Sequence, residues 1–237
     1  MKLNTKKNMI KKTSNILKLV VVMLFVTLNT FGQKITINRI ESRLITNEGV
    51  EFVGELNDKS NAIYSFENWK NKGVIYVDGK SYHLNNLNFN VTRNAFESRI
   101  SSKKLFTYKS QEIDSVEISN LLFKKFGNSF YEILFQSNNN TFLKKHDISF
   151  QKGVENRLGV GTLGKTKTVL AYNYLVKMGS SFKRIELNKS SILGLISDVS
   201  KRKILETYVK KERLSYKKTK DLIKIFEFMF DNSNSII

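Results

Sequence analysis

The sequence predicts an α+β protein, in which a mainly antiparallel β meander is followed by a small C-terminal helical unit. Short apolar and aromatic runs separated by turn residues fill positions 34–187, and apolar residues then recur at helical spacing. The meander is expected to form a curled sheet or an open barrel or sandwich. A third feature, an export-like N-terminus, divides the chain into a signal peptide at 1–32, a β-rich domain at 33–187 and a helical unit at 188–237.

The N-terminal segment has the three parts of a cleaved export signal. A lysine-rich stretch reaches Lys18, an apolar run follows at 19–28, and small residues precede a cleavage point between Gly32 and Gln33. The apolar run is too short for a hydrocarbon core that needs about 20 residues, so no transmembrane span is expected in the mature chain. The alternative is a short anchor or a buried helix. We predict an extracytoplasmic protein that is periplasmic, associated with the outer membrane, or secreted.

The amino-acid composition limits the kinds of chemical site that the chain can form. The chain has no cysteine and two histidines, which excludes disulfides, thiolate metal sites and a lipid on an N-terminal cysteine. We expect no metal site and no cofactor. The net charge is +19 from 40 basic and 21 acidic residues, which favours an anionic partner, although an AT-rich coding sequence would also enrich lysine.

The strand candidates follow one another at the spacing of a meander. The pair 73–77 and 80–84 is the clearest hairpin, because Asp78-Gly79 favours a type I′ turn. Residues 129–136 alternate, which predicts that Tyr131, Ile133 and Phe135 share one face. The remaining candidates are 34–38, 49–56, 87–92, 95–100, 104–108, 114–118, 121–126, 141–150, 168–178 and 181–187.

The stretch 151–166 is predicted to be a flexible Gly/Lys loop. It contains Gly159-Val-Gly161-Thr-Leu-Gly164-Lys165-Thr166, which satisfies both G-x-G-x-x-G and the P-loop pattern. A P-loop requires a buried apolar strand before it and a helix after it. Residues 153–158 are not such a strand and 168–175 favour a strand, so a loop without nucleotide is the preferred interpretation.

The C-terminal region changes to helical periodicity. Ser190 or Ser191 is expected to cap a short helix, and Thr219 to cap the last one. The apolar faces of these helices should pack on the sheet or on each other. Between these two helices, five basic residues are candidates for binding an anionic surface: Lys201, Arg202, Lys203, Lys210 and Lys211. The alternative is that they form an ordinary solvated helix face.

No catalytic residue can be selected from the sequence. His146 and Asp147 are adjacent on a strand, so their side chains should point to opposite faces, and His83 has no ligand at metal-binding spacing. Scattered acids could still pair in space as a hydrolase requires, namely Glu41, Glu51, Asp114 and Glu117. Trp69 is a candidate ligand platform, with a core or seam position as the alternative.

Several short motifs resemble a group of uncharacterised exported β-rich envelope proteins of Gram-negative bacteria that have a helical C-terminal tail. The motifs are Tyr64-Ser-Phe-Glu-Asn-Trp69, Gly73-Val-Ile-Tyr-Val-Asp-Gly79, Leu87-Asn-Phe-Asn90, Phe130-Tyr-Glu-Ile-Leu134, Thr141-Phe-Leu-Lys-Lys145, Leu214-Ser-Tyr216 and Asp221-Leu-Ile-Lys-Ile225. The resemblance implies a signal peptide, a β-rich body and a helical tail. It supplies neither an activity nor catalytic residues.

The sequence therefore favours an exported, non-catalytic envelope or secreted protein that binds another macromolecule. The expected partner is a protein or an anionic envelope component, and no specific nucleic acid is expected, because the basic residues are mostly lysines without exposed stacking aromatics beside them. Two alternatives remain open, a carboxylate-based extracytoplasmic hydrolase and a P-loop nucleotide-binding protein.

Overall fold

A computed structural model describes residues 42–45, 51–58, 62–137, 139–151, 154–155, 162–163 and 166–230. The predicted signal peptide, its cleavage point at Gly32–Gln33 and the strand candidate at 34–38 lie outside these residues. The strands are β1 (Ser42–Ile45), β2 (Glu51–Asp58), β3 (Gly73–Val77), β4 (Lys80–Leu84), β5 (Leu87–Asn90), β6 (Ala95–Arg99), β7 (Lys104–Tyr108), β8 (Ser115–Ile118), β9 (Leu121–Phe126), β10 (Ser129–Ser137), β11 (Asn140–Gln151), β12 (Val154–Glu155), β13 (Thr162–Leu163), β14 (Lys167–Met178) and β15 (Ser181–Ile185). The helices are α1 (Lys189–Leu193), α2 (Val199–Lys211) and α3 (Thr219–Phe230).

The strands form two large antiparallel sheets, which confirms the predicted α+β class. One sheet has the order β1-β2-β7-β6-β5, and the other has the order β15-β14-β11-β10-β9-β8-β3-β4. Strands β8 to β11 of the larger sheet pair with their neighbours in sequence, as a meander does. The predicted hairpin is present: Asp78 (φ 49°) and Gly79 (φ 73°) both have the positive φ that a type I′ turn requires.

The first apolar core lies between the two sheets and is dominated by phenylalanine. Five of its rings are almost completely buried: Phe89, Phe96, Phe106, Phe123 and Phe130. Phe89 and Phe96 from the smaller sheet meet Phe123 and Phe130 from the larger sheet at centroid distances between 4.8 and 6.2 Å. The two sheets therefore pack face to face as a β-sandwich with an aromatic core.

The second apolar core lies between the larger sheet and the helices. Phe142, Val176 and Ile185 from the sheet are buried with residues of all three helices, so the expected packing of helices on the sheet is confirmed. The closest pair of rings that joins the sheet to a helix is Phe142 on β11 and Phe226 on α3, with centroids 4.4 Å apart. This contact attaches the last helix to the sheet.

A β-bulge in β10 contradicts the predicted alternation of that strand. The ladder with β11 pairs Ile133 with Leu143 and then Phe135 with Phe142, so one residue is skipped. The extra residue turns Phe135 away from the face of Ile133, and both Leu134 and Phe135 pack against the second core. The prediction that Tyr131, Ile133 and Phe135 share one face was therefore wrong beyond Ile133.

The cap predicted for the first helix was wrong, and Thr219 lies within the last helix. Asn188 caps α1 in place of Ser190 or Ser191, because its Oδ1 accepts a hydrogen bond from the Ser191 N–H at 2.8 Å. Thr219 is the first residue of α3, and its hydroxyl lies 3.2 Å from the Tyr174 hydroxyl. Its side chain thus joins the helix to β14.

The Gly/Lys stretch is a connection between two long strands. Within it β12 pairs with β13, and the rest of 152–165 lies outside the described residues. The segment after Thr166 is strand β14, as predicted, where a P-loop would need a helix.

We expect Phe226→Ala to lower the free energy of unfolding by about 3–5 kcal/mol, because it removes a fully buried ring from the second core. Urea denaturation measures the change. The control is Phe150→Ala, which truncates a ring that is 68% exposed and should change stability by less than about 0.5 kcal/mol. Similar losses in the two variants would contradict the assigned packing of α3.

Candidate functional site

A basic groove of about 640 Å³ lies along one side of α2, and we call it the α2 groove. Four of the five α2 positions that line it lie at helical spacing, Lys203, Glu206, Thr207 and Lys210, because residues three, four and seven apart share one side of a helix. Leu205 and Val209 fix the rotation of the helix by packing in the second core, and Val209 lies at the border between that core and the groove. The rest of the lining is Lys189, Val209, Arg213, Leu214 and Tyr216.

The charges of the α2 groove are strongly unbalanced. Glu206 is its single acid, and one of its carboxylate oxygens already lies 3.2 Å from the Lys189 ammonium. Within the described part of the chain, the side chains of Lys203, Lys210 and Arg213 form no ion pair. The carboxyl end of the α2 dipole offsets part of the charge of Lys210, which lies in the last turn. A surplus of positive charge remains.

Tyr216 also lines the groove and is half-buried. Its oxygen is buried and has no hydrogen-bond partner, the one side-chain nitrogen or oxygen of this kind among the described residues. Burial, reinforced by the nearby Glu206 carboxylate, raises the pKa of Tyr216 above its ordinary value. The group therefore remains a protonated hydroxyl at neutral pH and can donate a hydrogen bond.

Arg213 reaches the groove through an uncommon backbone conformation. It has φ 54°, in the left-handed region that usually holds glycine just after a helix. The Leu214 N–H donates to the Val209 carbonyl at 2.9 Å and closes the end of the helix. The sequence thus has a long cationic side chain at a position where glycine would fit with less strain.

The structure separates the five basic residues predicted as a binding set. Lys203 and Lys210 line the α2 groove, whereas Lys211 is exposed outside its lining. Arg202 is half-buried and its Nε donates to the Ile196 carbonyl at 2.7 Å, and Lys201 is also half-buried. Sequence reasoning missed Lys189, Arg213 and Tyr216, because they come from other segments. The helical spacing of 203 and 210 was the available signal.

Trp69 is half-buried at a seam. Its ring meets the Tyr64 ring edge-to-face with centroids 4.9 Å apart, and the Arg99 guanidinium lies 5.8 Å from its centroid. The segment that carries it runs beside β5, where Tyr64 forms a β-bridge with Asn90. These contacts fit the seam interpretation better than an open ligand platform.

Asp114 and Glu117, two of the four acids proposed for a hydrolytic pair, have separate surroundings. Asp114 accepts a hydrogen bond from the Asp78 N–H at 2.9 Å and supports the β3–β4 turn. Glu117 lines a shallow pocket with His83 and Lys72. Glu41 and the side chain of Glu51 lie outside the described residues.

A buried polar cluster joins Glu132 on β10 to His146 on β11. The His146 Nε2 lies 2.6 Å from a Glu132 oxygen, the Lys144 ammonium lies 2.8 Å from the same oxygen, and the Ser65 hydroxyl lies 2.8 Å from the His146 Nδ1. Glu132 pairs with Lys144 in the ladder, and His146 follows two residues later on the same face. Asp147 bonds Asn173 instead, consistent with the predicted opposite orientation of His146 and Asp147.

The Glu132 carboxylate remains ionised in this cluster. Burial alone would raise its pKa, but hydrogen bonds from His146 and Lys144, together with the Lys144 charge, outweigh that effect and hold the pKa of Glu132 below its ordinary value. A carboxylate acceptor on Nε2 favours the tautomer in which Nδ1 accepts from Ser65. The result is a continuous Ser–His–Glu chain of hydrogen bonds.

This series of hydrogen bonds resembles a hydrolytic relay, but the two backbone amides nearest the Ser65 hydroxyl already have partners. The N–H of Ser65 donates to the Phe89 carbonyl at 3.0 Å, and the N–H of Phe66 donates to the Asn88 Oδ1 at 3.2 Å. Neither amide is available for an oxyanion. Lys144 is bound to Glu132 and lies over the Tyr172 ring, 4.4 Å from its centroid. The cluster is better explained as a cross-link between the segment around Ser65 and the larger sheet.

A second buried carboxylate, Glu97, is equally well partnered. Its Oε2 accepts from the Tyr64 hydroxyl at 2.7 Å, and its Oε1 accepts from Asn90 at 2.9 Å and from Thr107 at 3.0 Å. Arg93 adds an ion pair at 3.6 Å. Glu97 therefore supports the fold of the smaller sheet.

The described residues contain no group of three or more His, Cys, Asp or Glu placed to hold a metal ion. None of their helices combines the length and apolar character needed to cross a membrane. Comparisons of the chain with protein-family models, curated proteins and solved structures found no match.

Glu132→Gln should lower the free energy of unfolding by about 3 kcal/mol at pH 7, because it leaves Lys144 without its buried partner. Since the folded pKa lies below the unfolded value of about 4.3, ionised Glu132 stabilises the wild type above that pH. This contribution disappears as the pH falls through the folded pKa. The difference between wild type and variant should therefore shrink on acidification, as measured by urea denaturation at several pH values.

The matched control is Glu67→Gln, which alters an exposed acid. It should change stability little and leave the pH profile intact. A constant difference between wild type and Glu132→Gln across the acid range would contradict the ionised, paired state of Glu132.

Proposed function

We propose that this chain is an exported, non-catalytic envelope or secreted protein that binds an anionic macromolecule through the α2 groove. The observation that carries the proposal is a set of three cations around one open groove, Lys203, Lys210 and Arg213, that form no ion pair with any described residue. The only acid in its lining is already paired with Lys189. Such a surface attracts polyanions, and this attraction weakens as salt is added.

The buried carboxylates support a binding role over catalysis. Glu97 and Glu132 each receive several hydrogen bonds or ion pairs, and the two amides nearest Ser65 are occupied. A hydrolase would need an accessible acid–base pair or free oxyanion donors. The β sandwich therefore acts as a scaffold in this proposal, with recognition at the helical end.

An envelope component fits the groove better than a nucleic acid does. The groove has one arginine among its four cations, and its one aromatic ring, Tyr216, is half-buried. Nucleic-acid surfaces favour several arginines and exposed rings on which bases stack. An exported chain would meet anionic polysaccharide, lipopolysaccharide or anionic lipid instead.

The triple variant Lys203→Gln, Lys210→Gln, Arg213→Gln should bind fluorescein-labelled dextran sulfate at least about tenfold more weakly than wild type at low salt, because close charge pairs are lost. Fluorescence anisotropy over a salt series measures affinity and salt dependence. Uncharged dextran tests for binding to the sugar backbone.

The matched control removes the same charge from exposed lysines of the β sandwich, in the variant Lys72→Gln, Lys80→Gln, Lys103→Gln. It should retain most of the affinity. Equal losses in the two triple variants would show that binding follows net charge and would overturn the assignment to the α2 groove.

The proposed export of the chain leads to a separate prediction. Protein isolated from its native source should have a mature N-terminus at Gln33, because the flanking pattern marks cleavage after Gly32. Intact-mass measurement tests this directly. A mass that includes Lys2 and the apolar run would remove the basis for an extracytoplasmic location.

A further inference from the structure

One end of the hairpin formed by β11 and β14 extends beyond the rest of the larger sheet. Within the described residues, the ladder of β10 with β11 stops at Lys144, and the ladder of β15 with β14 stops at Tyr174. Residues 145–151 and 167–173 continue to pair with each other. We call this two-stranded part the β11–β14 ribbon. A two-stranded sheet is marginally stable by itself and gains from the addition of further strands.

The β14 edge, which is the side of residues 168–172 that faces away from β11, lacks the features with which proteins usually block an open edge. Its sequence, Thr-Val-Leu-Ala-Tyr, contains no charged residue, proline or glycine, and no bulge interrupts its ladder with β11. The opposite edge of the ribbon has Lys145, His146 and Asp147, and His146 bonds Ser65 there. The β14 edge is therefore the edge better suited to receive another strand.

One face of the ribbon exposes apolar side chains. The ladder pairs Ile148 with Leu170, and side chains two residues apart on a strand share a face. Four apolar side chains therefore lie together on this face: Ile148, Phe150, Leu170 and Tyr172. Phe150 is 68% exposed and Tyr172 is 44% exposed. A partner that extends the ribbon can add to this apolar face as well as pair with the backbone.

We infer that the β14 edge pairs with the β14 edge of a second copy of this chain, in an antiparallel register centred on Leu170. A two-fold axis perpendicular to the sheet then places Thr168 of one copy opposite Tyr172 of the other. The same axis keeps both apolar faces on one side, so Ile148 and Leu170 of the two copies form one row across four strands. This inference is independent of the α2 groove and of what the groove binds.

Opposite charges meet at both ends of this pairing, which favours a second copy over a strand of unrelated sequence. Glu186 directly follows β15, whose last residue, Ile185, pairs with Tyr174. In the proposed register Lys167 of one copy lies opposite Asn173 of the other, next to the end of its β15. Lys167 and Glu186 are both exposed, and the alternation of side chains places them on the same face of the sheet. The two-fold axis creates this lysine–glutamate contact twice.

Sedimentation equilibrium of the purified chain over a range of concentrations tests the inference. Wild type should form a reversible dimer. Lys167→Glu and Glu186→Lys should each weaken the dimer about tenfold, because each variant brings two pairs of like charges together. An equimolar mixture of the two variants should dimerise again, since both contacts in the mixed dimer join opposite charges. The control is Lys103→Glu, which makes the same charge change at an exposed lysine between β6 and β7 and should dimerise like wild type.

Amide hydrogen exchange of residues 168–172 provides a second measurement. The amides that face away from β11 should exchange more slowly as the protein concentration rises, because pairing with a second copy protects them. A chain that stays monomeric at every concentration overturns the inference, and protection of these amides in that monomer would mean that another segment of the same chain covers the edge. A dimer that neither single variant weakens, or that the mixture of variants does not restore, places the contact elsewhere and equally overturns the inference.

Discussion

One face of the larger sheet supports both apolar cores, and the β-bulge in β10 adds Phe135 to that face. Phe130 and Glu132 point to this face before the bulge, and the skipped residue brings Phe135 to the same face opposite Phe142. Phe130 packs in the first core, between the two sheets, whereas Phe135 and Phe142 pack in the second core, beneath the helices. Without the extra residue, Phe135 would point to the other face, and the second core would lose this ring.

The buried Glu132 cluster lies between the two cores along β10 and β11. A charged group at such a position is costly unless it is fully partnered, and Lys144, His146 and Ser65 complete its hydrogen bonds. The cluster ties the segment around Ser65 to the larger sheet. At the other end of the same strands, the Phe142–Phe226 contact supports the helices that shape the α2 groove. Strands β10 and β11 thus belong to the sandwich and also support the helices that form the groove.

Local sequence signals predicted most of the fold but little of the candidate site. Asp78-Gly79 identified its hairpin because the turn chemistry is local, and most strand positions followed from short periodic runs. The bulge in β10 arises in its pairing with β11, so the periodicity of β10 alone could not show it. The cap at Asn188 is a local bond to the Ser191 N–H, a signal that the choice of Ser190 or Ser191 overlooked. Ser65 and His146 are 81 residues apart, and Tyr216 reaches the groove from outside α2. Their roles arise only once the sheets and helices pack.

The most direct test is whether the helices that form the groove unfold together with the sheet that supports them. Native-state hydrogen exchange measures the opening free energy of each amide. If α2 and α3 are integral to the second core, the amides of Leu205, Val209 and Phe226 should open with free energies close to those of Phe142 and Leu143 on β11. Rapid exchange throughout α2 and α3 while β11 stays protected would contradict a groove held rigidly by the sheet.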